Sequence, residues 1–207
     1  MVWLIHGLWM RPWVMGYLAR RLARRGFRCH RFAYHSVTEP WAAVLSRLQA
    51  AIAAVEAAEV FILGHSLGGR LALAVSDPRL RRVLLLGTPV SASRAASALR
   101  RRGWGRRLGG VGAAVLCRPA PAPPPAVAVA AIAGTGGRGL GRLLTRLPPP
   151  HDGAVTVAET RAPWLVDHGC LAASHSALLF SRAAAEAAAG FFAAGRLPRP
   201  PVIDCRP

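Results

Sequence analysis

The sequence predicts an α/β protein built on a six-stranded parallel sheet with helices on both faces. Three observations lead there. Short runs such as "VWLI" (2–5) and "VFIL" (60–63) are apolar at every position, as strands covered on both sides must be. Between such runs lie stretches whose apolar residues recur at helical spacing. In "FILGHSLGGRL" (61–71), glycines flank one serine where a strand gives way to a helix.

The elements follow in order. The first strand, "VWLI", ends at His6-Gly7. A helix runs from Pro12, whose fixed φ suits a helix start, towards Gly26, which suits a stop. Val14, Met15, Leu18 and Leu22 share its apolar face, and Arg20, Arg21, Arg24 and Arg25 the other. "FRCHRFAY" (27–34) alternates and gives the second strand. Glu39-Pro40 introduces a helix with Trp41, Val44, Leu45, Leu48, Ile52 and Val55 on one face. The third strand is "VFIL". A helix from Leu67 to about Ser76 is stopped by Asp77-Pro78. "RVLLLGTP" (82–89) is the fourth strand.

Residues 91–125 break the rhythm with arginine runs, glycines and "RPAPAPPP", and predict a helical and loop excursion, a candidate flap. "AVAVAAIAG" (126–134) is the fifth strand, and "APWLVDHGC" holds the sixth. A last helix spans about Ala177 to Ala194 and stops at Gly195. The expected organisation is one domain over 1–197 and a proline-rich tail over 198–207.

Composition narrows the function. With 53% hydrophobic and 17% charged residues, the 207-residue chain can bury a core and is no disordered segment. Its longest apolar run, near 126–133, is too short to span a bilayer. The first residues lack a basic region leading into an apolar stretch, so no signal peptide is expected. Cys29, Cys117, Cys170 and Cys205 are scattered without a C-x-x-C pair, which predicts reduced thiols in a cytoplasmic protein and neither a disulfide framework nor a zinc site. Net charge is +18, and arginine supplies every basic side chain beyond histidine. Such a surface attracts anionic lipid and nucleic acid. The arginines are spread over several helices and form no nucleic-acid reading module.

Gly64-His65-Ser66-Leu67-Gly68 has the form G-x-S-x-G. A chain turning abruptly from strand to helix holds the serine at the apex in a strained conformation. Side chains two residues to either side would collide with neighbouring elements. The helix amides that follow are free to hold negative charge.

Here the chain resembles the α/β-hydrolase family, in particular its small bacterial lipase and esterase members. The resemblance covers most of the chain. It rests on "VWLIHGLW", "GHSLGG", "HDGAV" and "SHSALLFS". It implies a minimal fold with sheet order 2-1-3-4-5-6, without the antiparallel strands that open larger members. It also implies a Ser-Asp-His order of catalytic groups.

Serine needs a base, and the base needs a carboxylate to fix its tautomer. Asp152 follows the fifth strand in "PHDGAV" and is the expected acid, with Asp167 the runner-up. Asp152 could also be a turn aspartate satisfying nearby amides. His175, in a short loop before the last helix, is the expected base, with His168 the alternative. The oxyanion donors implied are the amides of Leu67 and Leu8, with His6, Gly7, Gly64, His65 and Gly68 in support. Trp9 adjoins that loop and is the candidate for the substrate pocket. Trp13, Trp41 and Trp104 are further candidates for that pocket, although Trp13 and Trp41 suit helix-to-sheet packing at least as well.

The reaction implied is cleavage of a carboxylic ester through an acyl-enzyme on Ser66, with no metal or organic cofactor. The substrate would be a small-molecule or lipid ester, with peripheral contact to an anionic membrane. Two signals compete. "GTGGRG" (134–139) matches the dinucleotide fingerprint, but no acidic residue ends a following strand at the required distance. The alternative function is a catalytically weak interaction module that binds membrane or nucleic acid through its basic surface.

Overall fold

The computed structural model describes residues 1–139, 141–200, 202, 203 and 205, with the backbone alone of Arg142. Val2–Ile5 (β1), Cys29–Phe32 (β2), Val60–His65 (β3), Leu80–Leu86 (β4), Ala128–Gly134 (β5) and Asp167–Leu171 (β6) form one sheet in the order β2-β1-β3-β4-β5-β6. Every neighbouring pair is parallel, as expected. The pleat sorts side chains by position. Val2, Leu4, Leu63, Leu84, Leu86 and Ile132 face one core, under α1 (Gly16–Ala23) and the last helix. Trp3, Ile5, Ile62, Val83, Leu85 and Val129 face the other, under α2 (Trp41–Ala53) and α3 (Leu67–Leu73). A one-residue slip would exchange the two sets, so burial on both faces fixes the register.

That register aligns the loops that matter. Ile5 pairs with Gly64 across β1 and β3, so the loops after these strands emerge side by side. Gly134 pairs with Leu171 across β5 and β6, which brings the loop after β6 beside the turn after β5.

Several expectations are corrected. The first helix is a 3-10 turn, Pro12–Met15, leading into α1. Trp13 does not pack on the sheet but is 70% exposed. The excursion forms α4 (Arg94–Arg101) and α5 (Gly105–Leu116), and α5 breaks at Gly110, with φ of 50°. A short α6 (Gly141–Leu144) follows β5. The last helix is divided into a 3-10 turn, Ala177–Phe180, and α7 (Arg182–Ala194). Ser181 makes the division, since its side chain caps α7 by accepting from the Ala184 amide at 3.2 Å.

The prediction of four reduced cysteines also fails. Cys170 on β6 is bonded to Cys205, and Cys170 exchanges backbone hydrogen bonds with Ile203. The tail thereby covers the edge of β6, where unpaired backbone groups would otherwise face water. Cys29 and Cys117 are free. Among the described residues, no helix is long and apolar enough to cross a membrane.

Arg70 on α3 is a buried cation without a carboxylate partner among the described residues. It donates to the carbonyls of Pro89 at 3.1 Å and Arg118 at 2.7 Å, clasping both ends of the excursion. Burial pushes its guanidinium down to about 10.

Candidate active site

Ser66 occupies the turn between β3 and α3 at φ 53° and ψ −118°. It and Trp9 are the two non-glycine residues with positive φ among those described, and both border the same cavity. Such strain persists only where its surroundings hold it. At Ser66 the surroundings are glycines. A Cβ on Gly64 would run into the backbone of Gly69, and one on Gly68 into the carbonyls of Ile5 and His6.

The cavity, about 420 Å³, opens at the carboxyl ends of the strands, where α/β sheets hold their ligands. Ser66 and His175 both line it, with Gly7, Leu8 and Trp9 from the loop after β1. Leu99 and Leu116 of the excursion, Leu144 of α6 and Val155 give it an apolar wall. Arg138 and Gly139, from the glycine-rich stretch, line it as well. That stretch therefore belongs to the loop beside the acid.

His175 Nδ1 lies 2.6 Å from Asp152 Oδ2. A carboxylate can only accept, so Nδ1 carries a proton, and in the neutral imidazole the lone pair is then on Nε2. The other oxygen, Oδ1, accepts from the amides of Ala154 at 2.8 Å and Val155 at 2.7 Å. The His175 amide donates to the Asp152 carbonyl at 2.9 Å, which ties the loop to the turn a second time. Asp152 is almost fully buried, and burial pushes its carboxyl up. The His175 imidazole and the two amides outweigh that and hold it below the ordinary aspartate value.

His65 supports the same loop. Its Nε2 donates to the His175 carbonyl at 3.0 Å, and its ring lies 4.7 Å from the His175 ring. Burial, reinforced by His175, pushes His65 down to about 3, so it is neutral. His6 is also buried, and burial lowers its pKa. Its Nδ1 donates to the Gly7 carbonyl at 3.0 Å and its ring stacks on Tyr34. The Leu67 amide stands at the head of α3, where no intrahelical acceptor exists. Neither it nor the Leu8 amide donates to an acceptor among the described residues.

The runners-up lie elsewhere. His168 bonds Thr160 Oγ1 at 2.8 Å, and Asp167 pairs with Arg199 at 2.9 Å. Trp41 is partly buried on the α2 side of the core, and Trp104 is exposed outside the cavity lining. One supporting residue escaped the sequence reading. Ser36 Oγ accepts from the Trp9 amide at 2.9 Å, and the Ser36 carbonyl accepts from Gly112 at 3.1 Å. Its only signal was a position just past the second strand's end.

No protein-family model matches the chain. No curated protein matches it either. Solved structures do resemble it. A mature lipase of Bacillus licheniformis, BlEst2, is 19% identical, with a TM-score of 0.65 over 86% of this chain and 85% of its own. A pyrethroid hydrolase from Sphingobium faniae is 19% identical, with a TM-score of 0.67 over 93% of this chain and 97% of its own. A lipase-esterase related protein from Clostridium acetobutylicum is 12% identical, with a TM-score of 0.59 over 93% and 92%. The chain has the α/β-hydrolase fold.

Proposed function

We propose that the protein is a serine hydrolase that cleaves a carboxylic ester. One observation carries this reading: the 2.6 Å bond from His175 Nδ1 to Asp152, which leaves Nε2 as a base in the cavity that Ser66 lines. Ser66 attacks the acyl carbonyl while His175 takes its proton. The tetrahedral oxygen is held by the amides of Leu8 and Leu67. His175 then protonates the leaving alcohol, and an acyl group remains on Ser66. Water activated by the same histidine releases the acid. These steps call for no metal or organic cofactor. The apolar wall of Leu8, Leu99, Leu116, Leu144 and Val155 suits an apolar acyl or alcohol group. The likeness to a lipase and a pyrethroid hydrolase lends support to the ester class.

The test is hydrolysis of p-nitrophenyl esters from acetate to long acyl chains by wild type and Ser66→Ala. Activity that vanishes with Ser66, by about 10³-fold or more, is expected. Equal inertness of both proteins across the series leaves the interaction-module reading, which the +18 charge favours. A cytoplasmic location was expected partly from scattered cysteines, and the Cys170–Cys205 bond removes that ground. Thiol counting on protein isolated from cells decides it: four free thiols support the cytoplasm.

A further inference from the structure

Large apolar side chains collect around the cavity mouth. Trp9 is 51% exposed, Trp104 55%, Leu108 52% and Leu143 74%. Scattered exposed apolar residues are ordinary, but these adjoin one another. Trp104, which caps the start of α5, and Leu108 stand one turn apart and so share a face. The Trp9 indole donates to the Leu108 carbonyl at 2.6 Å. Arg102 lies over the Trp104 ring at 5.9 Å and donates to the Leu143 carbonyl at 3.3 Å. Trp9 and Leu144 themselves line the cavity.

The charge on this rim is one-sided. Residues 91–151 hold ten arginines and no aspartate or glutamate. Arg101, Arg102, Arg106 and Arg107 are exposed, and none is in an ion pair among the described residues. Exposed indole and leucine side chains beside unpaired arginines match the boundary of an anionic bilayer. There the apolar groups enter the acyl region and the guanidinium groups meet phosphates. A nucleic acid would use the arginines but has no place for Leu108 and Leu143.

We propose that this rim, from Trp9 through α5 to α6, docks on the surface of an anionic lipid bilayer, with the cavity facing the lipid. The ester-hydrolase reading supplies what docking would serve, delivery of a lipid ester to Ser66. The docking itself does not require Ser66.

The experiment is co-sedimentation of the whole chain with vesicles of phosphatidylcholine alone and of phosphatidylcholine mixed with phosphatidylglycerol. Wild type and Ser66→Ala are expected to bind the mixed vesicles alike, and to release them at high salt. An arginine near an anionic surface strengthens binding about fivefold, so Arg106→Gln with Arg107→Gln should weaken it roughly 25-fold. Trp104→Ser with Leu143→Ser should weaken it with the charge intact. Both variants should hydrolyse soluble p-nitrophenyl butyrate as wild type does and lose turnover of a vesicle-borne ester. Equal binding to both vesicle types, or variants that bind as wild type does, would overturn the proposal. So would vesicle binding that duplex RNA displaces and that Trp104→Ser with Leu143→Ser leaves intact, which assigns the rim to nucleic acid. If wild type binds as expected but cleaves no ester, the hydrolase reading fails and the docking stands.

Discussion

Replacing Asp152 by asparagine changes one atom in a fully enclosed site, and the surroundings dictate which way the new amide turns. Oδ1 accepts from two backbone amides, at 2.8 and 2.7 Å. An asparagine NH2 in that position would face two donors and leave both unsatisfied, at about 1–3 kcal/mol each. The side-chain oxygen must therefore stay there, and the NH2 must face His175 Nδ1 across the present 2.6 Å contact. Nδ1 then has to accept, the imidazole proton moves to Nε2, and the base can no longer take the Ser66 proton. With shape and burial kept, the fold should persist while kcat for a p-nitrophenyl ester falls by roughly 10⁴, the size of loss a wrong tautomer produces. The assay is kcat and KM across pH for wild type and Asp152→Asn, with thermal unfolding as the control for folding. Retention of activity within tenfold in a folded variant would refute the reasoning and return attention to Asp167.

Two further outcomes follow from buried groups outside the reacting atoms. His65 is pushed from its ordinary 6.5 to about 3 by burial and His175, and His168 to about 4 by burial and Arg161, so the unfolded chain binds their protons before the folded one does. Their contribution is complete above pH 6.5 and is lost as pH falls towards 4 and 3; His65 alone should cost about 2 kcal/mol by pH 5, read from urea melts at pH 7 and pH 5. Arg70→Met should remove the donors that hold Pro89 and Arg118, cost about 3 kcal/mol, and open residues 91–118 to limited proteolysis; an unchanged urea midpoint and cleavage pattern would refute the clasp.

The sheet was legible because its physics is local. β1 and β3 lie in the interior, so "VWLI" and "VFIL" had to be apolar throughout. The elbow was legible because a turn with φ of 53° at Ser66 tolerates little beside it but glycine, and Gly64 and Gly68 appear at the required spacing. The Asp152–His175 contact was reachable by elimination among few acids and histidines, given the chain order that the resemblance implied. The cysteine pair was not reachable. Cys170 and Cys205 are 35 residues apart, and only the return of the tail along β6 brings them together. Trp13 misled because it is large and apolar, yet the face set by Val14, Met15, Leu18 and Leu22 leaves it on the opposite side, where it is exposed.

The excursion was legible as helices and as a candidate flap but not as a fixed wall of the site, and the reason is a set of contacts that no periodicity encodes. The break at Gly110 presents the Val111 and Gly112 amides to the Val37 and Ser36 carbonyls. Ser36 Oγ holds the Trp9 amide, and the Trp9 indole returns to Leu108 on the same helix. These bonds close a ring through α5, the loop after β2 and the loop after β1. Trp9, at φ 61°, is kept in its strained conformation by that ring, and Leu8 is the residue immediately before it. A second ring runs on the far side, through Asp152, the His175 backbone and His65. The two rings meet where Gly7 packs against the elbow, since a Cβ there would sit 3.0 Å from His65 Nδ1 and 3.1 Å from Ser66 Cβ. The position of the Leu8 amide therefore depends on α5 as much as on β1. A segment that sequence reads as a candidate flap is, by its hydrogen bonds, one wall of the cavity.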